Sequence, residues 1–89
     1  RTDVLDRAMI DLLSFYRDVL TTQMGSDVER VNLDLSDAVD QAARTTSPEQ
    51  SLARIAAIEE CRSRLRSNAA PLLAVEALMV QLRPQAGGR

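Results

Sequence analysis

The apolar residues Leu5, Ala8, Met9, Leu12, Leu13, Tyr16, Val19, Leu20 and Met24 recur at spacings of three and four. A 3.6-residue repeat brings such positions onto one side of a helix, whereas a strand would split them between its two faces. The spacing therefore predicts an amphipathic helix over residues 3–24. Thr2 is its expected N-cap, and Asp3 and Asp6 suit the positive end of the helix dipole. Asp11 and Asp18 join them mainly on the outward side. Gly25 stands where a left-handed C-cap residue is needed.

The remainder is punctuated in the same helical register. Ser26 to Asp34 is a polar connector in which Val31, Leu33 and Leu35 alternate with Asn32 and Asp34. A lone strand would have no partner here, so the segment is read as an extended loop with Val31 and Leu33 tucked against the bundle. Asp34 or Ser36 caps a second helix over 35–44, with Leu35, Ala38, Val39, Ala42 and Ala43 inward. Ser47-Pro48-Glu49-Gln50 is a capping box with proline in the first helical position. It opens a third helix over 48–67, whose inward line is Leu52, Ile55, Ile58, Cys61 or Arg62, and Leu65. Asn68-Ala69-Ala70-Pro71 breaks that helix and starts a fourth over 71–82, apolar nearly all round except for Glu76 and Gln81. Such a helix is expected to be buried on more than one side. Pro84, Gly87 and Gly88 predict a disordered tail over 84–89.

Eighty-nine residues allow one domain, here residues 3–83, with a thin core. Apolar residues form 45% of the chain and aromatics 2%, so the core is aliphatic and helix-forming rather than β-rich. The expected fold is an all-α bundle of about four helices, antiparallel where loops are short. Leu13, Tyr16, Leu20, Leu52, Ile55, Leu65, Leu73 and Leu78 are its expected core. The chain opens on Arg1-Thr2-Asp3 without a methionine and reads as a piece of a longer protein.

The net charge of −2 argues against a generic nucleic-acid surface. No apolar run approaches the roughly twenty residues of a membrane span. Without histidine or a glycine-rich phosphate loop, neither a general base of the usual kind nor a nucleotide cradle is available. No catalytic, cofactor or metal site is expected. The single cysteine, Cys61, excludes an internal disulfide and is expected to be a small packed hydrophobe in a reducing cytoplasm. Met9, Met24 and Met79 are expected to fill the core or an interface. Glu59 and Glu60 point about 100° apart and read as a solvated face, not a carboxylate pair. Arg62, Arg64 and Arg66 crowd the last turns of the third helix, and Arg62 and Arg66 share a face that could meet an anion; dipole complementarity and pairing with Glu59 or Glu60 explain the three more simply. Phe15 and Ile10 flank the main stripe of the first helix, an arrangement that suits packing against two neighbours, the second being a missing part of the parent chain or another subunit.

Four segments in order resemble the C-terminal collar domain of bacterial clamp-loader subunits, most closely the delta-prime subunit of DNA polymerase III. Leu12-Leu13-Ser14-Phe15-Tyr16-Arg17-Asp18-Val19-Leu20 resembles the family's long leucine-rich helix with its Arg-Asp step. Val31-Asn32-Leu33-Asp34 is similar to its N-x-D segment. Ser47-Pro48-Glu49-Gln50, followed by Leu52 to Arg66, is like its capped helix ending in arginines. The segment from Asn68 through Pro71 and Glu76 to Leu78 resembles its closing pattern. The resemblance covers Leu5 to Leu82; the gamma/tau subunit has a related domain.

That resemblance implies a non-catalytic assembly role in the cytoplasm. The collar domains of five subunits pack into a ring holding AAA+ modules above DNA, and the delta-prime subunit acts as a stator beside neighbours that hydrolyse ATP. The implied partners are the gamma/tau and delta subunits, with no direct nucleic-acid contact and no membrane. The AAA+ module and an early part of the collar domain would precede this chain. Phe15, Arg17, Asn68 and Glu76 are the candidate partner contacts. The alternative is a helical adaptor domain that pairs with itself.

Overall fold

The computed structural model describes residues 2–26, 29–30, 32–67 and 70–84. Among them the chain is all-α: α1 (Thr2–Gln23), α2 (Ser36–Thr45), α3 (Pro48–Arg66) and α4 (Pro71–Leu82), with a 3-10 turn at Leu33–Leu35. These bounds lie within a residue of those expected from sequence. The expected cap at Thr2 rests on a side chain outside the description, and Val31, Asn68 and most of the 84–89 tail lie outside it as well.

Gly25 adopts φ 70°, and its amide donates to the Thr22 carbonyl at 3.1 Å while the Ser26 amide reaches Thr21 at 3.0 Å. This double closure satisfies the last carbonyls of α1 and requires a left-handed residue at Gly25. The described connector residues Ser26, Glu29, Arg30 and Asn32 carry no regular secondary structure, in keeping with a loop, and a 3-10 turn follows at Leu33–Leu35. Leu33 and Leu35 are exposed there at 67% and 44%, against the expectation that both face inward. Neither Asp34 nor Ser36 caps α2: its N-cap is Leu35, with no side-chain bond. Ser36 instead meets Arg30, whose guanidinium donates to the Ser36 hydroxyl at 2.6 Å and pairs with Asp40. Ala38 is likewise exposed, and Val39 is the residue by which α2 enters the interior.

The capping box of α3 forms as read. The Gln50 amide donates to Ser47 Oγ at 3.1 Å, and the Ser47 amide donates to Gln50 Oε1 at 2.8 Å. Helix α1 packs against both α2 and α3, and α4 packs principally on α3. At one end Met9 and Leu13 meet Ile58, Cys61 and Leu65 of α3 and Ala74 and Leu78 of α4, with Tyr16 and Ile55 packed alongside. At the other, Val19 and Val39 are fully buried. The buried Ser51 hydroxyl donates to Gln23 Oε1 at 2.7 Å, while Gln23 Nε2 donates to the Thr46 carbonyl at 2.9 Å. One glutamine of α1 thus fixes the α2–α3 junction with every polar atom used.

Two expected core residues are outside. Leu52 is 55% and Leu73 65% exposed. Each step of three residues falls about 60° short of a full helical turn. The line from Leu52 through Ile55 to Ile58 therefore slides some 120° around α3, and Leu52 leaves the interface. In α4 the buried pair is Ala74 and Leu78; Leu73, adjacent to Ala74, is turned about 100° away. Asp18, expected outward, is only 4% exposed because the connector folds over it.

Candidate interaction surface

Helix α4 carries two apolar faces. Ala74, Val75, Leu78 and Leu82 face the body of the domain. Leu72, Leu73, Met79 and Val80 fall on the other side and are exposed at 68%, 65%, 59% and 54%. Positions 72, 73, 76, 79 and 80 follow the spacing of a buried helical stripe, so these four side chains ring Glu76. Glu76 is exposed and makes no hydrogen bond or ion pair among the described residues. The expectation that α4 is buried on more than one side fails for this chain alone, because only α3 packs extensively against it. The molecule is flattened, 38 × 33 × 17 Å, and its four helices leave the far side of α4 uncovered.

Beside this face lies an open groove of about 330 Å³ between α3 and α4. Ala53, Ala56 and Ala57 line one wall, Ala77 and Gln81 the other, and Glu60 and Arg64 flank it. Alanines at these positions leave the helix backbones accessible to close approach. Cys61 lies at the base, where its thiol donates weakly to the Ala74 carbonyl at 3.7 Å. Burial pushes that thiol above its ordinary pKa, although Arg64 opposes the shift, so it remains a neutral packed group.

The sequence-selected residues are distributed over two helices. Phe15 is half-buried on α1, its ring edge-on to Tyr16 at 5.2 Å. Tyr16 also receives the Arg54 guanidinium over its face at 5.6 Å, so its ring serves the α1–α3 contact. Arg17 is exposed and lies 4.0 Å from Glu59 of α3, a surface pair of little energetic weight. Glu76 stands alone on the outward face of α4, and Asn68 lies outside the described residues. Ile10, the other flanking residue, is 41% exposed. Sequence reasoning did not single out Leu72, Leu73 and Val80 as an exposed apolar face with Met79; the signal that could have found it is the all-round apolarity of α4, which is more than one neighbouring helix can cover.

Two of the arginines at the end of α3 are paired individually. Arg64 pairs with Glu60 at 3.1 Å, as expected, but Arg62 bridges to Asp6 of α1 at 2.9 Å instead of to Glu59 or Glu60. Arg62 therefore latches two helices rather than sharing an anion with Arg66. Its guanidinium holds the Asp6 carboxyl below the ordinary carboxylate range, chiefly through the hydrogen bond. Among the described residues no group of His, Cys, Asp or Glu is arranged to hold a metal ion, and no helix is long and apolar enough to cross a membrane.

Residues 4–83 match the model of a family described as DNA polymerase III, delta subunit, C terminal. No curated protein and no solved structure matches the chain.

Proposed function

The chain belongs to the family of C-terminal domains of the DNA polymerase III delta subunit, and from that premise we propose that it is a non-catalytic assembly module packing with other subunits' C-terminal domains into the clamp-loader collar. The observation that carries this reading is the second apolar face of α4, four large side chains exposed where a helical neighbour would cover them. A small domain presenting such a face is suited to joining helices between chains, and the family supplies the assembly to which those chains belong.

Within the family we assign it to the delta-prime type, on the order of its Leu-rich helix, N-x-D segment, capped arginine-ended helix and closing Asn-Pro-Glu pattern. Its role is then to support ATP-driven loading of the sliding clamp from residues 3–83, in the cytoplasm, with Phe15, Arg17, Asn68 and Glu76 toward the gamma/tau and delta subunits. Co-expression with those subunits, followed by sizing of the complex, tests the reading. A heterologous complex is expected; a stable homodimer that excludes both subunits would replace the collar reading with that of a self-pairing adaptor.

A further inference from the structure

Glu76 is the feature of the α4 surface that apolarity does not explain. A carboxylate encircled by Leu72, Leu73, Met79 and Val80 loses water when that face is covered, and an unpaired buried charge is costly. The occupant must therefore bring a cation to the middle of its own apolar surface.

A second copy laying its own α4 along this one cannot supply that cation while covering the patch. A parallel, in-register pair of α4 helices sets Glu76 against Glu76. An antiparallel pair that covers Leu72 through Val80 on both copies is centred on residue 76 and again opposes the two carboxylates. Sliding the copies until Glu76 meets Arg83 puts Leu72 and Leu73 opposite positions beyond the helix end at Leu82. Complete coverage and charge pairing exclude one another in a symmetric dimer built by α4 lying along α4.

We propose that the outward face of α4 docks an amphipathic helix of another clamp-loader subunit, one bearing an arginine or lysine within its apolar stripe opposite Glu76, and that Glu76 sets partner choice by rejecting a second copy. The alanine-lined groove beside α4 lets that helix approach closely. This inference rests on the collar reading and adds to it the face, the partner's chemistry and the residue that discriminates.

The test uses the whole chain co-expressed with the gamma/tau and delta subunits, with affinities measured for wild type, Glu76→Arg, Glu76→Leu and Val80→Asp. All these side chains are exposed, and thermal melting monitored by circular dichroism confirms that each variant is folded. Charge reversal in Glu76→Arg is expected to weaken the complex at least about tenfold, since like charges meet in the desolvated centre, and Val80→Asp to weaken it similarly. Glu76→Leu, freed of the carboxylate clash, is expected to sediment as a dimer where wild type is a monomer. Wild-type complexes insensitive to both Glu76→Arg and Val80→Asp would overturn this face while leaving the collar reading standing. Absence of any wild-type complex would remove the collar reading and this inference with it. A monomeric Glu76→Leu, or a wild-type homodimer abolished by Val80→Asp, would overturn the discriminating role of Glu76.

Discussion

Asn32 donates both its backbone amide and its side-chain nitrogen to a single carboxylate oxygen of Asp18, each at 2.8 Å. The same side-chain nitrogen lies 3.2 Å from the Ser14 hydroxyl. One residue of the connector is thereby clamped onto α1 by bonds to a charged acceptor, which are stronger than neutral ones. The clamp explains how a carboxylate can be buried in this small domain, and it sets the path by which α2 returns to α1.

Replacing Asn32 by alanine removes the side-chain bond to the buried Asp18 carboxylate. The expected loss is about 1.5–3 kcal/mol, the usual range for hydrogen bonds to charged groups. Urea denaturation measures it. A midpoint equal to that of wild type would show that water replaces Asn32 at no cost.

Ser47→Ala deletes the acceptor for the Gln50 amide and breaks the capping box. About 1 kcal/mol should be lost. Retention of full stability would move the physical start of α3 away from Ser47.

Leu52 and Leu65 separate the outward side of α3 from its buried line. Leu65 is 4% exposed, so Leu65→Ala should cost about 2–5 kcal/mol, whereas Leu52→Ala at 55% exposure should stay within about 0.5 kcal/mol of wild type. Equal losses in the two variants would contradict the observed rotation of α3.

The latch between Arg62 and Asp6 makes a pH prediction of defined sign. The folded-state pKa of Asp6 is lowered, first by its hydrogen bond to Arg62. Its contribution is therefore present above the unfolded carboxylate pKa and lost as pH falls through the lower folded value. Asp6→Asn should lose less stability than wild type on acidification from about pH 5 downward. Parallel stability curves for the two proteins over that range would show that the latch carries no linkage.

Local chemistry and periodicity determined the helices. Proline in the first turn of α3 and of α4, the Ser47–Gln50 box and the left-handed position of Gly25 act within a few residues, so their consequences are legible without tertiary information. The stripe of α1 was legible in large part, with Met9, Leu13 and Val19 buried where its spacing predicts, although Ala8 and Met24 are exposed and Asp18 is buried. Only the tertiary structure decided which side of α4 is buried and where the inward line of α3 begins. A helix that is apolar nearly all round, as α4 is, has no preferred face of its own, and its rotation follows from the neighbour it packs against; hence Leu73 lies outside and Ala74 inside, while Leu52 leaves the interface because the three-residue line drifts around α3. Long-range polar choices were decided there too. Burying Asp18 required the connector to deliver Asn32 across 14 residues of sequence, and pairing Arg62 with Asp6 rather than with a nearer glutamate required α3 to lie along α1. The exposed ring around Glu76 belongs to both levels: its residues are visible as a run in the chain, but the packing of α4 on α3 is what leaves them facing outward.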